Sequence, residues 1–329
     1  MRGILLALAS CLTATVALAQ GAKNPAKVDT ANLTFRWPET VTARVEAHRY
    51  RVRQTNGKQD TSNAGMSYRM TATRSGQEYV IRFDDFQVAG MEAVPRTPEK
   101  VALDERMGGF VPSYRVSASG EFVRLESSAA IRAFLDSIMT VWTSKESPPP
   151  PQVKQLITAM TSDAVLEARA AEEWNALVGA WIGAALEVGE VYGTEGEEPI
   201  AFFQNAMVKY EYEFSALRRM PCDSVAAPAA RDCIELQMVS RPDSAAMRQL
   251  MQRLVGDIAG DSTGEIGFLD FNIENVVTLV ARPESLLPVH LTVTKQVTGS
   301  ARAEGKTETM YQLEVKTQKY TYSRMRNKE

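Results

Sequence analysis

Histidine is almost missing from this chain, with 2 in 329 residues, and cysteine is nearly so, with 3. That scarcity excludes most common catalytic sets. A serine triad needs a histidine base, no G-x-S-x-G elbow is present, and structural zinc sites draw on Cys and His that are not there in number. Neither the G-x-x-x-x-G-K phosphate loop nor the G-x-G-x-x-G dinucleotide fingerprint occurs. After the first 20 residues no apolar run is long enough to span a bilayer as a helix. An excess of charge of one sign is lacking too, since 37 Lys and Arg face 40 Asp and Glu for a net charge of -3. Such a balance carries no electrostatic footprint for nucleic acid. What is present is 44% hydrophobic and 23% charged residues, the composition of a folded globular protein.

The first residues read as a sorting signal. Arg2 supplies a short positive n-region, Ile4 to Val16 are apolar or small, and Ala17-Leu18-Ala19 offers a cleavage site before Gln20. The expectation is a secretory signal peptide cleaved after Ala19 and a periplasmic or secreted mature chain. Leu8-Ala9-Ser10-Cys11 offers a competing lipoprotein route, disfavoured because Cys11 sits inside the apolar run and leaves a very short h-region. Removing Arg2 lowers 37 basic residues to 36 against 40 acidic ones, a charge of -4. Removing Cys11 leaves Cys222 and Cys233, which in an oxidising compartment are expected to form a disulfide. Ten intervening residues are not the C-x-x-C spacing of a redox pair.

About 310 mature residues allow one large domain or two ordinary ones. A polar leader (20–38) precedes a β-rich part (39–126). In that part Val41, Ala43, Val45 and Ala47 alternate, as do Met66 to Ala72 and Tyr79 to Phe83, and Ser119-Gly120 turns a hairpin. The alternation changes phase at Tyr50 and Val52, at Asp84-Asp85 and again at Tyr320 and Tyr322, which suggests bulges. Helical stripes follow in 127–187: Ile131 to Trp142, a second from Val153 to Met160, and a third on Trp174, Leu177, Val178 and Trp181, with Pro148 to Pro151 breaking the helix. Strands return in 188–329, led by Val208, Tyr210, Tyr212 and Phe214, with a helix expected from Ser244 to Ile258 capped by Asp243. The two β-rich parts read as one sheet system. The expected class is α+β: a large curved antiparallel sheet, either open-barrel-like or with helices on one face, and a central helical segment.

Function is read from what remains. His48 and His290 fall on the polar faces of their strands. The carboxylate pairs Asp84/Asp85, Glu172/Glu173 and the Glu195, Glu197, Glu198 run are adjacent, so on regular elements they point apart. Asp257, Asp261 and Glu265 near Gly256, Gly260 and Gly264 form a loose Ca²⁺ lead without EF-hand spacing; otherwise no metal and no cofactor is expected. Trp142, Trp174 and Trp181 sit on helical stripes and either fill a core or, with Tyr210, Tyr212 and Phe214, line an apolar cavity. Export signal, wide sheet and helical segment together are similar in outline to the periplasmic lipoprotein carriers; that resemblance of architecture implies an open sheet holding acyl chains beneath helices and carries over no residue. The expected function is a non-enzymatic cell-envelope protein binding a hydrophobic or amphipathic ligand or a protein partner. A solid-core interaction module is the second reading, with an edge strand or the acidic Glu195 to Glu198 loop as its surface. A carboxylate-dependent hydrolase is the third.

Overall fold

The computed structural model describes residues 28–88, 113–126, 128–133, 158, 161–200, 203, 206–222, 232–259, 267–303 and 306–323. The proposed signal peptide and Cys11 lie outside them, as do Trp142, the Pro148 to Pro151 break and most of the second helical stripe.

Thirteen strands are named here in chain order. They are β1 (Thr30–Asn32), β2 (Thr40–Thr55), β3 (Lys58–Ser75), β4 (Glu78–Val88), β5 (Tyr114–Ser117), β6 (Phe122–Leu125), β7 (Ala185–Glu187), β8 (Val191–Ile200), β9 (Ala206–Pro221), β10 (Asp232–Pro242), β11 (Gly267–Ala281), β12 (Pro288–Ala303) and β13 (Lys306–Tyr322). The longer helices are α1 (Asp163–Leu177) and α2 (Ser244–Ala259), and a single 3₁₀ turn covers Gly179–Trp181. Eleven strands form one antiparallel sheet in the order β6-β5-β4-β3-β2-β13-β12-β11-β10-β9-β8, and β1 pairs with β7 in a separate ribbon.

The α+β class expected from the sequence is overturned. Strands make up 66% of the structure, the helices among the described residues are few and short, and β6 and β8 do not pair with each other, so the sheet does not close into a barrel. The stripe carrying Trp174 is α-helical only as far as Leu177; Trp181 falls in the 3₁₀ turn and Ala185 in β7, and the strands on either side are far longer than their apolar alternation announced. β2 and β3, for example, run on through Arg53 to Asn63, where every side chain is exposed and no buried face marks the strand.

Cross-strand register divides the sheet into an inner face, against which both helices pack, and an outer one. Val45, Tyr68, Ile81, Val116, Tyr320, Leu279, Leu236 and Ala216 all share the inner face. Together with Trp174, Leu177 and Trp181 they form the main core. Residues 31–37 enter that core as well, with Ala31, Leu33, Phe35 and Trp37 buried and the residues between them exposed. Backbone hydrogen bonds from Leu33 to the Ala184 carbonyl and from Thr34 to the Pro283 carbonyl hold the segment in place. At the opposite end of the same face, α2 seats Met247 and Leu250 on Val208 and Phe271. Asp243 caps α2, its carboxylate accepting from the Ala246 N–H at 2.6 Å.

Phase changes have two different causes. At Asp84-Asp85 the register between β3 and β4 does shift, and Asp85 takes φ 54, so a bulge is present. In β2 and β13 the pairing runs without interruption. There the apolar residues move from the inner to the outer face, placing Tyr50 opposite Val315 and Val52 opposite Leu313. The disulfide forms as expected: Cys222 and Cys233 are bonded at the base of the β9–β10 connection, and Cys233 is buried with Val280 and Val289. Closing such a loop stabilises by roughly 3 kcal/mol on the chain-entropy model.

Candidate functional site

The six aromatic residues singled out in the sequence separate into two groups among those described. Trp174 and Trp181 are fully buried. Trp174 is packed by Phe35, Trp37 and Tyr114, with ring centroids 5.6 to 6.0 Å apart. Its indole N–H donates to the Gly120 carbonyl at 2.7 Å. Gly120 has φ +92, and a Cβ there would come within 2.6 Å of both Ile182 and Phe35. The hairpin glycine is thus required twice, by the turn and by close packing beneath α1. This end of the inner face is filled.

Tyr210, Tyr212 and Phe214 form a row on β9 because alternate strand residues share a face. Tyr210 stacks on Tyr212 at 5.8 Å, Tyr212 on Phe214 at 6.2 Å, and Phe214 meets Trp181 edge-on at 5.8 Å. The row therefore links the main core to the smaller core under α2, in which Tyr210 takes part. All three β9 aromatics are only half-buried. Burial pushes the Tyr210 hydroxyl pKa up to about 12. The Tyr212 hydroxyl is raised further, by burial first and by the nearby Glu198 carboxylate second. Despite that proximity its oxygen is enclosed without a hydrogen bond of good geometry.

Between the two cores the inner face turns polar. Following the register from strand to strand gives Ser62, Arg51, Glu314, Lys295, Asn275, Ser240, Tyr212 and Thr194 on successive strands from β3 to β8. Sequence reasoning missed this row, because its members are far apart in the chain and only pairing aligns them. Glu314 accepts from Arg49 at 2.7 Å and lies 3.5 Å from Lys316. Burial alone would raise the Glu314 carboxyl pKa; the Arg49 hydrogen bond and the charges of Lys316 and Arg49 outweigh it, and the pKa falls below the ordinary value. Glu173 of α1 approaches from above. Its side chain stays exposed to solvent, but the protein packed around it shifts its pKa upward, with the Lys316 charge opposing. Solvent nonetheless reaches this middle zone, since Arg49 and Lys316 are each 50% exposed.

The other sequence candidates fall apart in space. Asp84 pairs with Arg69 and Asp85 with Arg44, at 2.7 and 2.8 Å. Glu195, Glu197 and Glu198, expected on a loop, lie on edge strand β8, where odd and even residues face opposite ways. His48 is exposed. His290 has its pKa lowered by burial and by Lys319. Asp257 lies in α2, while Asp261 and Glu265 are outside the described residues. Among the described residues no group of three metal-ligating side chains gathers, and no helix is long and apolar enough to cross a membrane. A groove of about 510 Å³ opens on the outer face beside Lys209, Glu211, Arg241 and Glu274. Its walls are charged, and Arg241 is already paired with Glu213 and Glu274 at 2.9 and 2.7 Å.

No protein-family model matches the chain, and no curated protein matches it. Among solved structures, one described as lipid-protein interactions in lipovitellin aligns at 6% identity with a TM-score of 0.35. The match covers 89% of this chain and 26% of that chain, so this protein spans about a quarter of the length of its counterpart. Similarity at that level assigns neither family nor function.

Proposed function

We propose that this is an exported, non-enzymatic cell-envelope protein whose inner sheet face binds a hydrophobic or amphipathic ligand in the zone between α1 and α2. The observation that carries the reading is the half-buried row Tyr210, Tyr212 and Phe214, continued across the same face by Met238 on β10, Val277 on β11 and Val293 on β12, in a zone that solvent reaches. Apolar and aromatic surface left half-buried at the margins of both cores is what an acyl or ring-bearing ligand would cover. The leader sequence and the disulfide support an oxidising, exported location.

Native mass spectrometry of protein purified from its own host, followed by lipid extraction, tests the proposal. A co-purifying apolar ligand is expected, and Phe214→Ser should reduce its occupancy. A ligand-free protein that also fails to bind added fatty acids or phospholipids would sink it. The filled core around Trp174 favours a second reading, an interaction module with no ligand, and the same experiment separates the two.

A further inference from the structure

The polar row across the inner face is unevenly charged. Arg51 stands directly opposite Glu314 on one side, and Lys295 directly opposite it on the other. Arg49 and Lys316 also reach that single carboxylate. Arg49 takes up its charge, which leaves Arg51 and Lys295 with no carboxylate partner among the described residues. One Arg51 terminal nitrogen donates to the Gln312 side-chain oxygen at 3.1 Å, an oxygen that Arg53 also uses at 3.2 Å. The Arg51 Nε–H is enclosed and has no acceptor. A buried guanidinium N–H is seldom left without one, and the planar guanidinium fork fits the two oxygens of a carboxylate or a phosphate.

The apolar surface lies alongside. Val293, Val277, Met238 and Phe214 occupy the adjoining row on β12 to β9. Lys295 on β12 is three strand spacings, about 14 Å, from Tyr212 on β9. That distance is within the reach of an extended acyl chain.

We propose that the inner face selects ligands with an anionic head, a carboxylate or a phosphate, bound by Arg51 and Lys295, while the apolar tail follows the Val293, Met238 and Phe214 row. This inference rests on the ligand reading above and adds the headgroup chemistry to it. Glu314 acts here as a positioning residue: its charge holds Arg49 and Lys316 aside, so the two unpaired cations form the anion contact.

Displacement of a fluorescent apolar probe from the delipidated full chain distinguishes the possibilities, using oleate, methyl oleate and acetate as competitors. Oleate should bind at least about tenfold more tightly than methyl oleate, the effect of a charge-assisted hydrogen bond, and acetate should not compete. Arg51→Gln with Lys295→Gln should abolish that preference, weakening oleate until it binds no more tightly than methyl oleate. Arg51→Lys should retain part of it, and an unaltered thermal transition in each variant shows that the fold is intact. Equal binding of oleate and methyl oleate overturns the headgroup inference alone. Competition by acetate at the same concentration as oleate overturns it too, in favour of a free-anion site. Failure of both long-chain ligands overturns the ligand reading beneath it.

Discussion

The helices α1 and α2 cover opposite ends of one sheet face, and they do so with different residues. Under α1 the packing is aromatic and dense: Trp174, Trp37, Phe35, Tyr79 and Tyr114 meet mostly edge to face, and the N-terminal segment is drawn in beside them. Under α2 the buried cluster is smaller and mixed, with Met247 and Leu250 against Val208 and Phe271. Buried area sets the stabilisation, so the first end anchors the fold and the second is the end able to loosen. The zone between them has only partly buried members of each core, Phe214 of the first and Tyr210 of the second, and its polar row stays reachable by solvent while lying on the covered face.

Three measurements break or sharpen that contrast. The largest effect is expected from Trp174→Ala, which removes the central ring under α1 and leaves the Gly120 carbonyl without its donor. A loss of about 3–5 kcal/mol is expected, read as a lower urea midpoint for the whole protein. A loss below 1 kcal/mol would mean that this end is not the anchor. Leu250→Ala should cost about 2–3 kcal/mol, the lower part of the range for buried leucine. Its signature should be local, with amide exchange accelerating in α2 and on β9 while the core strands stay protected. Uniform acceleration across the sheet would instead make the two ends one cooperative unit. The smallest effect is spectroscopic and appears in alkali. Tyr210 at the looser end should ionise near 12 with the fold intact, whereas Tyr114 and Tyr320, held well above 10.0 chiefly by burial, should ionise only on unfolding. The neutral phenols are the forms the fold favours. Their contribution is therefore complete below the unfolded value of 10.0 and is lost as pH rises beyond it. Absorbance near 295 nm against circular dichroism would follow both events. A single coincident transition would contradict the separation.

Much of the strand layout is legible in the sequence, and the reason is burial on one side only. Val41 to Ala47, Met66 to Ala72 and Val208 to Phe214 alternate because one face is covered and the other is wet. Legibility ends where that asymmetry ends. Arg53 to Asn63 is exposed on both faces, so nothing in its composition signals a strand. The same holds for β8, whose glutamates read as a loop. In β2 and β13 the signal misleads: a change of phase there marks apolar surface crossing to the other side of an unbroken ladder, not a bulge. The aromatic part of the candidate site could be read because Tyr210, Tyr212 and Phe214 are two apart on one strand. Arg51, Lys295 and Glu314 could not, since they become neighbours only after β2, β12 and β13 pair.

Among the described residues strand β8 ends the sheet, and an end strand is the kind of border along which sheets of separate molecules can join. It also carries Glu195, Glu197 and Glu198, followed by Pro199, which has no N–H to offer. Two copies approaching edge to edge would bring three carboxylates from each against one another. Like charges facing across strands are repulsive, so the border that leaves the sheet open also disfavours its pairing with a second copy of itself.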